Sequence, residues 1–183
     1  NLERARYWFT RAADSGNAAA QYQVAVMASQ GAGGPKDEAT AALYYKKSLQ
    51  TWKKEADDGD SKAALWAALV YERKLVPDSS PEKSVPYLLQ AAESGNLTAQ
   101  GLLAFKYRDG LGVPQDAAKA VEWFEKAASR KDLGAVMELG IMFRDGKYLP
   151  PDREKAFHWF EKGAEWKDPY SMAALADMLL EGT

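Results

Sequence analysis

The sequence predicts an all-α solenoid of about five helix-turn-helix units, and three observations lead there. First, a pattern recurs at a fixed interval: the spacing from Asp116 to Asp152, from Lys119 to Lys155 and from Trp123 to Trp159 is 36 residues each time. Self-similarity at that period marks a stack of supersecondary units, because one such unit cannot bury its apolar face alone. Second, small and aromatic residues within each unit recur at helical spacing, as in Ala120, Trp123, Phe124, Ala127 and Ala128, which forms one apolar stripe. Third, no segment shows the alternation that a half-buried strand requires.

Holding the register defines the units. Ser80, Lys83, Tyr87 and Ala91-Ala92 stand 36 residues before Asp116, Lys119, Trp123 and Ala127-Ala128. An earlier unit begins at Asp37, with Ala41 and Tyr44-Tyr45 in place, but its Gly59 arrives seven residues late relative to Gly95. Seven residues are close to two turns of helix, so an extension through Leu49–Glu55 nearly preserves the buried face and lengthens the first helix of that unit. The first unit carries Asn1, Trp8-Phe9 and Ala12-Ala13 at the corresponding places. Unit boundaries are therefore expected at 1–36, 37–79, 80–115, 116–151 and 152–183.

Each unit reads as two helices. Asn1, Asp37, Ser80, Asp116 and Asp152 stand where a short side chain can accept from the free N–H groups of the opening turn. The first helix is expected to end near Gly16, Gly59 and Gly95, with Lys131 and Lys167 in place of glycine in the last two units. The second helix repeats Ala99, Leu103, Ala104 and Tyr107 as Ala135, Leu139, Gly140 and Phe143, and again as Ser171, Leu175, Ala176 and Leu179. Small residues there let helices approach, and large ones fill the space between layers. A glycine-rich turn from Arg108 to Pro114 leads to the next capping residue.

These residues carry a resemblance. The Ala91-Ala92-Glu-Ser-Gly95-Asn96 segment, Ala99, the Tyr107-Arg-Asp-Gly110-Leu-Gly112-Val113 turn and the Asp116-x-x-Lys119-Ala120-x-x-Trp123 opening resemble the Sel1-like repeat, a relative of the tetratricopeptide repeat. The resemblance covers the chain and is most specific in the last three units. The turns Gly31–Pro35 and Lys74–Ser80 depart from the pattern. It implies a right-handed superhelix of helical hairpins that serves as a scaffold for protein complexes, common in bacteria and in membrane-linked quality control.

Composition narrows the function classes. The 24 basic and 26 acidic residues are interleaved and sum to −2, the pattern of solvated helix surfaces rather than of a nucleic-acid-binding stripe. No apolar run is long enough to span a bilayer. The absence of cysteine excludes disulfides and thiolate metal sites, and sets the chain apart from the cysteine-rich branch of the family. No cofactor is expected. The compartment stays open, with a bacterial protein, exported to the periplasm or cytoplasmic, implied by the resemblance. The chain opens at a repeat boundary and ends inside a turn, so a piece of a longer protein is expected.

Enzymatic readings have a structural competitor at every position. Ser80-Pro-Glu-Lys83 matches the serine-x-x-lysine motif of penicillin-recognising enzymes. Ser80 nevertheless aligns with the capping aspartates, Pro81 suits the first helical position, and Lys83 is the repeat's own lysine. The serine-aspartate-asparagine and lysine-threonine-glycine partner motifs are missing. His158, the single histidine, aligns with Glu122 and Pro86 and reads as solvent-facing rather than as a general base.

A protein or peptide partner is expected instead, met by aromatics that the repeat leaves unexplained. Trp8, Tyr44, Tyr87, Trp123 and Trp159 share one position and are assigned to the core. Trp52 lies in the insertion, Trp66 stands where other units carry Gln23, Leu102, Glu138 and Ala174, and Trp166 aligns with Ser15, Asp58, Ser94 and Arg130. Large aromatics at variable positions are candidate interface anchors, the competing reading being packing against a neighbouring unit. Lys46, Glu122, Glu125, Lys126, His158 and Glu161 are assigned to a concave groove. The expected function is a non-catalytic interaction scaffold. The alternatives are a penicillin-recognising or cell-wall-acting enzyme, and the regulatory or export-associated repeat region of a larger protein.

Overall fold

The structure is a computed structural model that describes residues 1–182. Ten α-helices and no strand are present among them: α1 Leu2–Asp14, α2 Ala18–Gln30, α3 Glu38–Asp57, α4 Ser61–Glu72, α5 Pro81–Glu93, α6 Leu97–Asp109, α7 Ala117–Ala128, α8 Leu133–Asp145, α9 Arg153–Glu165 and α10 Pro169–Leu180. The fold class is the all-α helical-repeat solenoid that the periodicity predicts. Two compact units divide the chain, Asn1–Ser94 with α1 to α5 and a second from Gly95 onward with α6 to α10. Within each, every helix packs on its neighbours in sequence.

Hydrogen bonding at helix starts repeats with the period. The carboxylate or amide oxygens of Asn1, Asp37, Asp116 and Asp152 accept from the backbone N–H groups of Arg4, Thr40, Lys119 and Lys155. Ser80 departs from this expectation. It occupies the N-cap with an extended backbone, and Pro81 follows at the first position, but the Ser80 side chain makes no capping hydrogen bond. The second helices carry an equally regular set of caps that the sequence reading passes over: Asn17, Asp60, Asn96, Asp132 and Asp168.

The insertion is helical. α3 runs unbroken for 20 residues where the other helices have 12 or 13, so the seven extra residues add about two turns and leave the register of the buried face intact. The turn after each first helix is left-handed whether or not it holds glycine. Gly16, Gly59 and Gly95 have positive φ, and so do Lys131 at 63° and Lys167 at 64°. A lysine there carries the steric cost of its Cβ against the following carbonyl, a cost that glycine avoids.

Packing follows the small-residue pattern. Ala91, Ala99, Ala104, Ala120, Ala127, Ala128 and Ala156 are fully buried, and Leu88, Leu103, Phe124, Leu139 and Phe160 fill the spaces between them. The shared aromatic position is not uniformly core. Trp123 and Trp159 are buried, Tyr44 and Tyr87 partly so, and Trp8 is 61% exposed. Burial at this position therefore follows from what packs against the ring, not from its place in the repeat.

Candidate interaction surface

In the first unit the extension of α3 and the side-by-side packing of α2, α3 and α4 gather four aromatic rings. Trp52, from the extra turns of α3, is 4% exposed and stacks on Trp66 of α4 with centroids 5.4 Å apart and planes 17° apart. Tyr22 of α2 lies 5.7 Å from both tryptophans and 5.5 Å edge-on from Tyr45 of α3. Pairs in this range add attraction beyond the area they bury. Trp66 is 40% exposed, so one face of the stack meets solvent while the other is braced from within. Trp52 therefore supports the surface and Trp66 presents it.

A cation borders the cluster. Arg73, the C-cap residue of α4, donates from Nη1 to the Tyr22 hydroxyl at 2.8 Å, across 51 residues of sequence. Neither Tyr22 nor Arg73 is singled out by the sequence reading, although both break the repeat. Tyr22 stands where the other units carry Leu65, Gly101, Met137 and Ala173, and Arg73 where they carry Gln30, Asp109, Asp145 and Glu181. The same test applied to Trp66 would have found them.

The second unit handles the end of its helices differently. Arg108 of α6 bonds the adjacent Asp109 at 2.8 Å and reaches Glu138 of α8 at 2.6 Å. Arg144 of α8 likewise bonds Asp145 at 2.7 Å. The hydrogen bond from Arg108 holds the Asp109 carboxyl below its ordinary range. At the end of α4 the order is reversed, Glu72 then Arg73, and Arg73 forms no ion pair among the described residues.

The remaining sequence candidates fall in both units. Lys46 is exposed on α3 and lines a shallow groove of about 320 Å³ with Leu49, Lys53, Tyr71 and Val76. The phenols of Tyr71 and Tyr87, stacked 6.2 Å apart, raise the Lys53 ammonium pKa. In the second unit Glu122 and Glu125 are exposed on α7, and the Lys126 ammonium lies 3.7 Å over the Trp123 ring. His158 and Glu161 are exposed on α9, where His158 meets Trp159 edge-on at 5.4 Å. Trp166 is half-buried at the C-cap of α9, with the Lys162 ammonium 6.0 Å from its ring. Only Trp52 and Trp66 of the nine are brought into mutual contact by a ring stack.

Lys83 forms an ion pair with Asp78. No group of three or more His, Cys, Asp or Glu side chains fit to hold a metal ion occurs among the described residues. None of the described helices is long and apolar enough to cross a membrane.

Capped helix pairs with small residues recurring at the same places, and one cluster of unrepeated aromatics, define a helical-repeat protein. The chain belongs to the Sel1 repeat family, which it matches at residues 1–17, 18–50, 62–96, 98–132 and 134–165. Those matches begin at or beside α2, α4, α6 and α8, one helix later in the same period than the units read from the sequence. Among solved structures, an SLR-fold protective antigen of uropathogenic Escherichia coli strains is similar over 99% of this chain, with 22% identity and a TM-score of 0.66. The chain spans 45% of the length of that antigen. A Sel1 repeat protein from Oxalobacter formigenes is similar over 97% of this chain and 70% of its own, with 25% identity and a TM-score of 0.66. Cysteine rich protein B of Helicobacter pylori is similar over 76% of this chain and 100% of its own, with 21% identity and a TM-score of 0.53. No curated protein matches the sequence.

Proposed function

We propose that the chain is a non-catalytic protein-interaction scaffold whose specialised contact surface lies on α2, α3 and α4. Members of the Sel1 repeat family bind protein partners, and the observation that carries the reading for this chain is the Trp52–Trp66 stack with Tyr22 beside it. A repeat frame positions side chains that vary from unit to unit, and here the variation is concentrated. The insertion supplies Trp52, the variable positions supply Tyr22, Trp66 and Arg73, and all four meet at one place. A half-exposed indole braced by a buried one loses little freedom on binding, which suits a hot-spot anchor.

The test is affinity capture from the source cell with the wild-type chain, a Trp66→Ala variant and a Trp52→Ala, Trp66→Ala variant, after circular dichroism shows that each is folded. Truncating an anchor of this kind typically costs about 2 kcal/mol, roughly thirtyfold in affinity. Loss of specific partners from the Trp66→Ala sample is the expected result. Identical partner lists for all three proteins would overturn the assignment of this surface.

A further inference from the structure

We infer that this surface takes an acidic peptide segment, one that presents an apolar or aromatic side chain beside a carboxylate. The inference rests on the reading of the chain as an interaction scaffold and adds the chemistry of the partner. An aromatic cluster by itself would suit a cation. The charge around this one decides otherwise.

Arg73 is the only cation among the five residues at its repeat position, and it faces the aromatic cluster through its bond to Tyr22. At the same position Asp109 and Asp145 are neutralised by the arginines that precede them. Arg73 lies beside no such carboxylate partner, and one of its five N–H donors is used by Tyr22. The Tyr22 hydroxyl accepts that bond and keeps its own proton to donate. A guanidinium held by a phenol of the cluster therefore presents several donors beside the aromatic rings, and a carboxylate can take them in bidentate fashion.

Glu72 stands beside Arg73 in sequence and Glu38 acts on Tyr45, but the stripe that carries the exposed indole is basic. α2 contains no Asp, Glu, Lys or Arg at all. On α4 the exposed Lys62, Trp66 and Arg73 stand at spacings of four and seven, which places them along one helical stripe with the indole between two cations. The ring would cover an apolar side chain of the partner while Arg73 takes its neighbour's carboxylate. A basic segment meets repulsion at both ends.

The experiment uses the whole chain and three synthetic peptides of equal length: one with Asp and Glu around a single Phe, one with Lys and Arg around the same Phe, and one acidic peptide with Gly in place of Phe. Indole fluorescence reports binding, because Trp66 meets solvent. The acidic Phe peptide is expected to bind, to weaken with rising salt, to weaken by roughly tenfold or more on Arg73→Glu and to lose binding on Trp66→Ala. The basic peptide is expected to bind only the Arg73→Glu variant. Arg73 is exposed, so its replacement leaves the core intact, and circular dichroism verifies the fold of both variants. Equal binding of acidic and basic peptides, or indifference to Arg73→Glu, overturns the inference. A random peptide library panned on the wild-type chain separates the two claims. Enriched peptides that ignore both substitutions sink this inference and leave the scaffold standing, whereas no enrichment at all removes the support for both.

Discussion

Gly163 of α9 and Ser171 of α10 are a matched pair: a Cβ placed on Gly163 would stand 2.6 Å from the Ser171 Cβ. In the preceding units the same two positions hold alanines, Ala127 with Ala135 and Ala91 with Ala99. The serine hydroxyl is fully buried and donates to the Asp168 carboxylate at 2.6 Å, inside the cap that starts α10. The methyl group missing at Gly163 is the space that this hydroxyl occupies.

Gly163→Ala is accordingly expected to destabilise the protein by about 1 to 3 kcal/mol through overpacking. Adding Ser171→Ala recreates the alanine pair of the earlier units and should recover part of that loss, a favourable coupling of about 1 kcal/mol in a double-mutant cycle. Urea titration of the four proteins measures it. A Gly163→Ala protein as stable as wild type would show that the two helices separate freely at this point.

Trp8 and Trp123 share one repeat position and differ in surroundings, being 61% and 7% exposed. Trp123→Ala should cost on the order of 3 to 5 kcal/mol, because it opens a cavity beside Phe124 and the buried alanines of its unit. Trp8→Ala should stay within about 0.5 kcal/mol. Thermal melts of the two variants decide between burial and repeat position as the source of the effect, and equal losses would contradict the burial assigned here.

The capping aspartates make stability fall in acid. The Thr40 hydroxyl and backbone N–H hold the Asp37 carboxyl below the ordinary aspartate range. Backbone N–H groups of Lys119 and Lys155 do the same for Asp116 and Asp152. A carboxyl depressed in the folded state contributes stability above its unfolded pKa and loses it as pH falls through the folded one. The melting temperature is therefore expected to be flat near neutrality and to decline below about pH 4. Replacing all three by Asn, which keeps an acceptor for the cap, should shallow that decline, and an unchanged acid limb would place its origin elsewhere.

How much of this was legible in the sequence depends on the range of the interaction. The helices, their first caps and the lengthened α3 could be read directly, because hydrogen bonds to a residue three positions on and a stripe of period 3.6 are local facts. Ser80 shows the limit even there, since its place in the register was readable and its missing cap bond was not. Trp52 and Trp66 could be marked as unrepeated, yet no pattern stated that one would be buried beneath the other.

That division reflects what burial is. A residue's position in the repeat comes from its own segment, whereas its exposure comes from helices that pack against it. Trp8 carries the sequence of a core residue and meets solvent. Tyr22 and Arg73, 51 residues apart, become a bonded pair only when α2 and α4 lie side by side. The sequence by itself determined a capped helical repeat of the Sel1 kind, with one unit longer than the rest. Only the tertiary structure decided that the odd residues of that unit converge on one surface, because helix packing, not chain order, sets which side chains touch.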